Sequence, residues 1–167
     1  MKKDHVDYII SQWEQEMPEL DTSPMAVIGR LSRVAQHLNK LLQLNYSKYS
    51  INGGEFDVLA SLRRSGKPYQ LTPTELYKSL MITSGTITNR LDCLEKSGFI
   101  CRSRNPNDRR GTIISLTEKG IKFMDNAYPA HIEHEEKLLD SLSIDERNEL
   151  ISLLKKLLLS YESTDNK

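Results

Sequence analysis

Residues 72–120 read TPTELYKSLMITSGTITNRLDCLEKSGFICRSRNPNDRRGTIISLTEKG, and this stretch decides the fold. Thr72-Pro73-Thr74-Glu75 is a capping box with proline at the first helical position, which predicts a brief helix ending near Met81-Ile82. Thr83-Ser84-Gly85-Thr86 opens the next helix, running to Gly98. Two short capped helices joined by about three residues form a helix-turn-helix, whose second helix enters a DNA major groove.

The second helix sorts by angle, at about 100° per residue. Ile87, Leu91 and Leu94 share the face that belongs to the core. Gly85, Asn89, Asp92 and Lys96 stand opposite, with Thr86 and Thr88 on the flanks. The N-terminal half of the exposed face is therefore small and polar: Thr83, Ser84, Gly85, Thr86, Thr88 and Asn89. An ordinary solvated face would carry more Lys and Glu. Small residues let the backbone approach a groove, Asn pairs with adenine, Thr methyls touch thymine, and hydroxyls at a helix start hold phosphate.

Phe99–Arg104 and Thr112–Leu116 are rich in β-formers, and the seven residues 105–111 between them contain Pro, Asn, Asp and Gly. This pattern predicts a hairpin with Arg109 and Arg110 at an exposed tip. An arginine on a stiff hairpin suits the narrow minor groove, where the potential is most negative, and Asp108 beside it is placed to fork the guanidinium and hold its aim. Helix-turn-helix and hairpin together read as a winged helix.

Outward from this centre the chain is helical. Upstream of the module, Phe56, Leu59 and Leu62 form one face of a helix that Gly66 stops. At the N-terminus, Val6, Ile9, Trp13 and Met17 stripe a helix over residues 4–17, ended by Pro18. Thr22-Ser23-Pro24 predicts a hydroxyl-capped start for a helix of about 25 residues, on the order of 38 Å long, with a seam at Ile28, Leu31, Ala35, Leu38 and Leu42. Downstream, a helix is expected from Thr117 through Leu139, and the Ser143-x-x-Glu146 capping box starts another with Leu150, Leu154, Leu157 and Tyr161 along its seam. Pairing across a twofold axis is the simplest way to bury such seams, and an intramolecular bundle is the alternative. The expected fold is mainly α with a small two- or three-stranded β wing. Residues 1–50 and 119–167 would be dimerisation helices flanking a DNA-binding domain at 51–118.

Charge is segregated to match. Net charge is zero, but residues 61–120 carry 11 basic and 5 acidic side chains while both flanks are net acidic. A basic centre between acidic ends suits a module that meets a polyanion. No run approaches the ~18 apolar residues of a membrane span, and the N-terminus lacks a secretory h-region, so a cytoplasmic address is expected. Cys93 and Cys101 read as reduced thiols, with redox sensing as the lesser alternative. His131, His134 and Glu135 share a helix face without evident further ligands, so neither a metal nor another cofactor is expected. No phosphate-binding glycine loop or nucleophile elbow is present, which argues against an enzyme.

The stretch Asp108-Arg109-Arg110-Gly111 through Leu116-Thr117-Glu118-Lys119-Gly120 resembles the wing signature of the MarR family of transcriptional regulators, D-x-R followed by L-T-x-x-G. Residues 83–91 are similar to that family's recognition helix. The resemblance implies a homodimer on a pseudo-palindromic operator, usually a repressor, with Arg110 as the minor-groove arginine and Asp108 its partner. It also implies a pocket between dimer helices and winged helix, where small aromatic anions bind and release DNA. Trp13, Asp57 and Arg90 look like the urate-responsive branch, with Arg102 as a second positive group. Arg90 lies about 60° from the centre of the buried face and can reach inward. Trp13 as a core anchor with Asp57–Arg90 as a structural ion pair is the competing reading, and phenolic carboxylates rival urate. The competing function is a winged-helix protein-interaction module without DNA binding, against which the basic wing and the small polar recognition face argue, since protein-docking surfaces favour aromatic and aliphatic anchors.

Overall fold

The computed structural model describes residues 2–80, 87–106 and 108–163, with the side chains of Arg109 and Arg110 outside that description. The described residues are mainly helical, with one three-stranded antiparallel sheet among them. It divides into two compact units, residues 1–53 and 54–167.

In the first unit, helix α1 (His5–Glu16) starts at a capping box that the stripe reading did not single out. The Asp4 carboxylate accepts the Asp7 N–H at 2.9 Å and the Asp7 carboxylate accepts the Asp4 N–H at 2.9 Å. Of the predicted stripe only Val6 is buried, and it lies against Gly29 of helix α2 (Ser23–Ser47). Trp13 is 43% exposed, so it is not a core anchor of its own unit. Arg30 ties the two helices together by donating to Asp4 at 2.8 Å and Asp7 at 2.6 Å. The α2 start differs from expectation: the Thr22 hydroxyl makes no cap, and the Asp21 carboxylate accepts the Ser23 N–H at 2.9 Å instead. A carboxylate one residue earlier outcompetes the hydroxyl because it is the stronger acceptor.

In the second unit, helix α3 (Gly53–Arg64) is buried along most of its length, with Phe56, Val58, Leu59 and Leu62 inside. Strand β1 (Gln70–Leu71) follows, then helix α4 (Pro73–Ser79) behind the expected Thr72–Glu75 capping box, in which the Glu75 N–H donates to the Thr72 hydroxyl at 3.2 Å. The helix stops at Ser79, short of Met81-Ile82. Thr83, Ser84, Gly85 and Thr86 lie outside the described residues. Helix α5 (Ile87–Lys96) leads into strands β2 (Ile100–Asn105) and β3 (Asp108–Leu116), and the sheet order is β1-β3-β2.

Leu76 of α4, Leu94 of α5, Ile100 and Ile114 of the sheet and Met124 of helix α6 (Glu118–Leu138) are all nearly inaccessible. Helices α4, α5 and α6 all pack on the sheet and so share one core with it, and burying each such side chain stabilises by roughly 1.5–3 kcal/mol. Helix α7 (Ile144–Glu162) begins at the Ser143 capping box and contains no buried residue. Its apolar side chains, among them Ile151, Leu153, Leu154 and Leu158, face solvent in the single chain.

Candidate nucleic-acid interface

Helix α5 presents the faces its sequence implies. Leu91 and Leu94 are buried, Ile87 is half-buried, and Thr88, Asn89, Asp92 and Lys96 are exposed. Amphipathic spacing turns the polar side outward because burying the leucines is worth more than burying Thr or Asn without partners. Arg90 turns back into the module: a Cβ at Gly54 would collide with its guanidinium, so the glycine at the start of α3 makes room for it. Arg90 thus reaches α3, the helix that carries Asp57, which is itself buried with Oδ1 3.9 Å from Arg64 Nη1.

The hairpin is tighter than residues 105–111 suggested. Asn105 faces Asp108 while Arg104 faces Thr112, so Arg109, Arg110 and Gly111 occupy a bulge in β3 rather than a tip loop. A bulge bends its strand and re-aims its side chains, a device common at strand ends beside functional sites. Asp108 is exposed at the head of this bulge.

A second feature was not read from the sequence. Arg102 on β2 donates from Nη1 to Glu95 Oε2 at 2.7 Å and from Nη2 to Asp92 Oδ1 at 2.6 Å, and its backbone N–H donates to Glu95 Oε1 at 3.2 Å. The hydrogen bond to Asp92 is the chief reason its pKa lies above the ordinary guanidinium value; the charge of Glu95 adds to this and partial desolvation opposes it. The guanidinium expected to await an anionic ligand is therefore already held by two carboxylates of α5. The spacing that could have signalled this is Asp92-x-x-Glu95, two acids on one helix face shortly before an edge strand.

The second half of the wing signature is scaffold. Thr117 Oγ1 donates to the Gly98 carbonyl at 2.7 Å and accepts the Gly120 N–H at 3.1 Å, while Lys119 Nζ donates to the Ser97 carbonyl at 2.6 Å. These contacts fasten the start of α6 to the turn between α5 and β2.

A cleft of about 330 Å³ opens between α3 and α6, lined by Ala60, Arg63 and Arg64 on one side and Met124, Asp125, Tyr128 and Pro129 on the other. Its wall includes none of Asp57, Arg90 or Arg102. Arg63 is paired with Asp125 at 2.8 Å, and Arg64 donates to the Ser79 carbonyl at the end of α4. His131 sits nearby in the core, its ring 4.7 Å from that of Phe56 and its Nε2 3.1 Å from Glu135 Oε1. Among the described residues no group of three His, Cys, Asp or Glu is arranged to hold a metal, and no helix is long and apolar enough to cross a membrane.

The sequence profile of the MarR family matches residues 51–112, the span from the start of α3 into the hairpin. The HTH-type transcriptional regulator PecS of Dickeya dadantii is 41% identical over 149 residues, covering 89% of this chain and 90% of the relative. The chain belongs to the MarR family. Members similar to it also include the multiple antibiotic resistance protein MarR of Salmonella typhimurium, 38% identical over 78% of this chain and 90% of the relative. A mutant MarR from E. coli solved in complex with operator DNA superposes with a TM-score of 0.69 at 32% identity, covering 87% of this chain and 97% of that one. As a MarR-family protein the chain is a winged-helix, DNA-binding transcriptional regulator rather than an enzyme.

Proposed function

We propose that the protein acts as a homodimeric repressor on a pseudo-palindromic operator. Residues 83–89, with Thr88 and Asn89 on the exposed face of α5, would read the major groove, and Arg109 and Arg110, with Asp108 beside them, would enter the minor groove. The observation that supports this reading is that α5, with Thr88 and Asn89 exposed, is joined through Arg102 to a hairpin whose strand β3 bulges at residues 109–111.

Dimerisation is supported by α7, a 19-residue helix with a leucine seam and no buried residue in the single chain. An apolar face of that length is rarely left open to water, and a second copy supplies its complement. Residues 1–50 and 119–167 would then serve dimerisation and residues 51–118 DNA binding, in a protein with a cytoplasmic address.

The effector side rests on the α3–α6 cleft. Its volume suits a small ligand, Tyr128 and Pro129 offer an apolar wall, and Arg64 a cation for an aromatic carboxylate or urate-like anion. An anion that draws on Arg64 competes with the Ser79 carbonyl at the end of α4, which links the cleft to the helix-turn-helix.

The test is a gel shift against DNA selected from a random pool, with and without salicylate or urate. Retardation that Arg110→Ala abolishes in a still-folded dimer supports the reading. No retardation at low salt favours a protein-interaction module instead.

A further inference from the structure

We propose that Arg102 is a positioning residue for DNA binding: by clamping the outer wing strand to α5 it delivers hairpin and recognition helix to the duplex as one rigid piece. The inference rests on the reading that these two elements touch DNA.

The geometry is that of a brace. Strand β2 is an outer strand of the sheet, with β3 as its one strand neighbour among the described residues. Glu95 takes both a guanidinium nitrogen and the backbone N–H of Arg102, at 2.7 and 3.2 Å, so one carboxylate fixes the strand as well as the side chain. Asp92, one turn earlier on the same face of α5, takes the other guanidinium nitrogen at 2.6 Å. Two anchor points along the helix axis resist both sliding of β2 along α5 and rotation about it. Only a planar fork with several donors serves both carboxylates at once; a lysine ammonium is a point charge on a flexible stem.

The lever explains why the brace matters. Asn105, where the turn begins, lies three positions beyond Arg102, about 10 Å of strand at ~3.3 Å per residue. A swing of roughly 10° at the brace moves the turn by roughly 2 Å, well beyond the ~0.5 Å within which a binding group must be held. The same contacts argue against Arg102 as a ligand's counter-ion. With Asp92 and Glu95 the cluster carries a net charge of −1, which repels an incoming anion.

The experiment compares Arg102→Met, Arg102→Lys and the triple variant Asp92→Asn/Glu95→Gln/Arg102→Met with the unsubstituted full-length protein. The triple variant removes the bare carboxylates that Arg102→Met alone would turn toward phosphates. Gel shifts on a selected operator give affinity, and hydroxyl-radical footprinting reports wing and helix contacts separately. Arg102→Met should lose tenfold or more in affinity. Protection should fade in the minor-groove segments the wings cover, and stay at the major-groove half-sites. Arg102→Lys should recover part of both, and the triple variant neither. If Arg102→Met does not fold, the single variants Glu95→Gln and Asp92→Asn, each removing one arm, should show the same selective fading to a lesser degree.

A wild-type footprint in Arg102→Met overturns the proposal, as does full recovery in the triple variant, which would reduce the role of Arg102 to charge. Loss of effector response with DNA contacts intact overturns it too. If the unsubstituted protein shows no retardation at all, the DNA-binding reading fails, and this proposal with it.

Discussion

Gly120, in the first turn of α6, stands so close to the main-chain carbonyl of Phe99 that a Cβ there would collide with it. The obstacle is backbone, which cannot rotate aside, and Thr117 holds the same spot through its bonds to Gly98 and Gly120. Gly120→Ala must therefore push α6 away from the α5–β2 turn. The expected cost is about 1–3 kcal/mol, the usual range for overpacking, read as a lower midpoint in urea unfolding with an unchanged slope. A midpoint equal to that of the unsubstituted protein would show that the two segments have room to part.

Acid should weaken the fold through His131. Burial pushes its pKa below the ordinary 6.5, Glu135 acts in the opposite direction, and His134 adds to the lowering. Below that ordinary value the unfolded chain takes up the proton before the folded one does. This contribution to stability is complete above about pH 6.5 and shrinks as the pH falls toward the lowered folded-state value. Urea melts between about pH 5 and pH 8 should show this slope. His131→Gln should flatten it, and a slope unchanged in that variant would place its origin elsewhere.

Local signals carried much of the fold into the sequence. The Thr72–Glu75 and Ser143–Glu146 boxes each close within a single turn, so spacing alone located α4 and α7. The burial of Leu91 and Leu94 followed from helical period in the same way. What escaped depended on partners distant in sequence or on competition between neighbours. Asp21 displaced Thr22 as the cap, and the shifted register that puts Arg109 and Arg110 into a bulge is set by cross-strand pairing. The three contacts of Arg102 cross from a helix to a strand, so no helical repeat announces them. The wall of the α3–α6 cleft is likewise assembled from segments about 60 residues apart, which explains why none of its residues was anticipated.

Assembly is tested through α7. Light scattering should give twice the chain mass of 19.2 kDa. Leu150→Glu with Leu154→Glu, two exposed seam positions, should shift that mass to the monomer and remove operator binding together. A variant that stays dimeric would mean that the seam does not join the copies.

The α3–α6 cleft is tested by thermal scans. A ligand at about 100 times its Kd stabilises by roughly 2.7 kcal/mol, so salicylate or urate at saturation should raise Tm by several degrees and weaken DNA retention. Tyr128→Ala should remove the response. A response unchanged in that variant would locate the effector elsewhere.

The most direct test is the salt dependence of operator affinity for the unsubstituted protein and for Arg110→Ala. Each phosphate neutralised contributes about −0.9 to the slope of log K against log salt concentration, so two recognition helices and two wings should give a steep line. Arg110→Ala should lower affinity by about 1–3 kcal/mol per copy and make that line shallower, with the dimer still folded. Binding that ignores salt, or an Arg110→Ala line that overlays the original, would contradict the account.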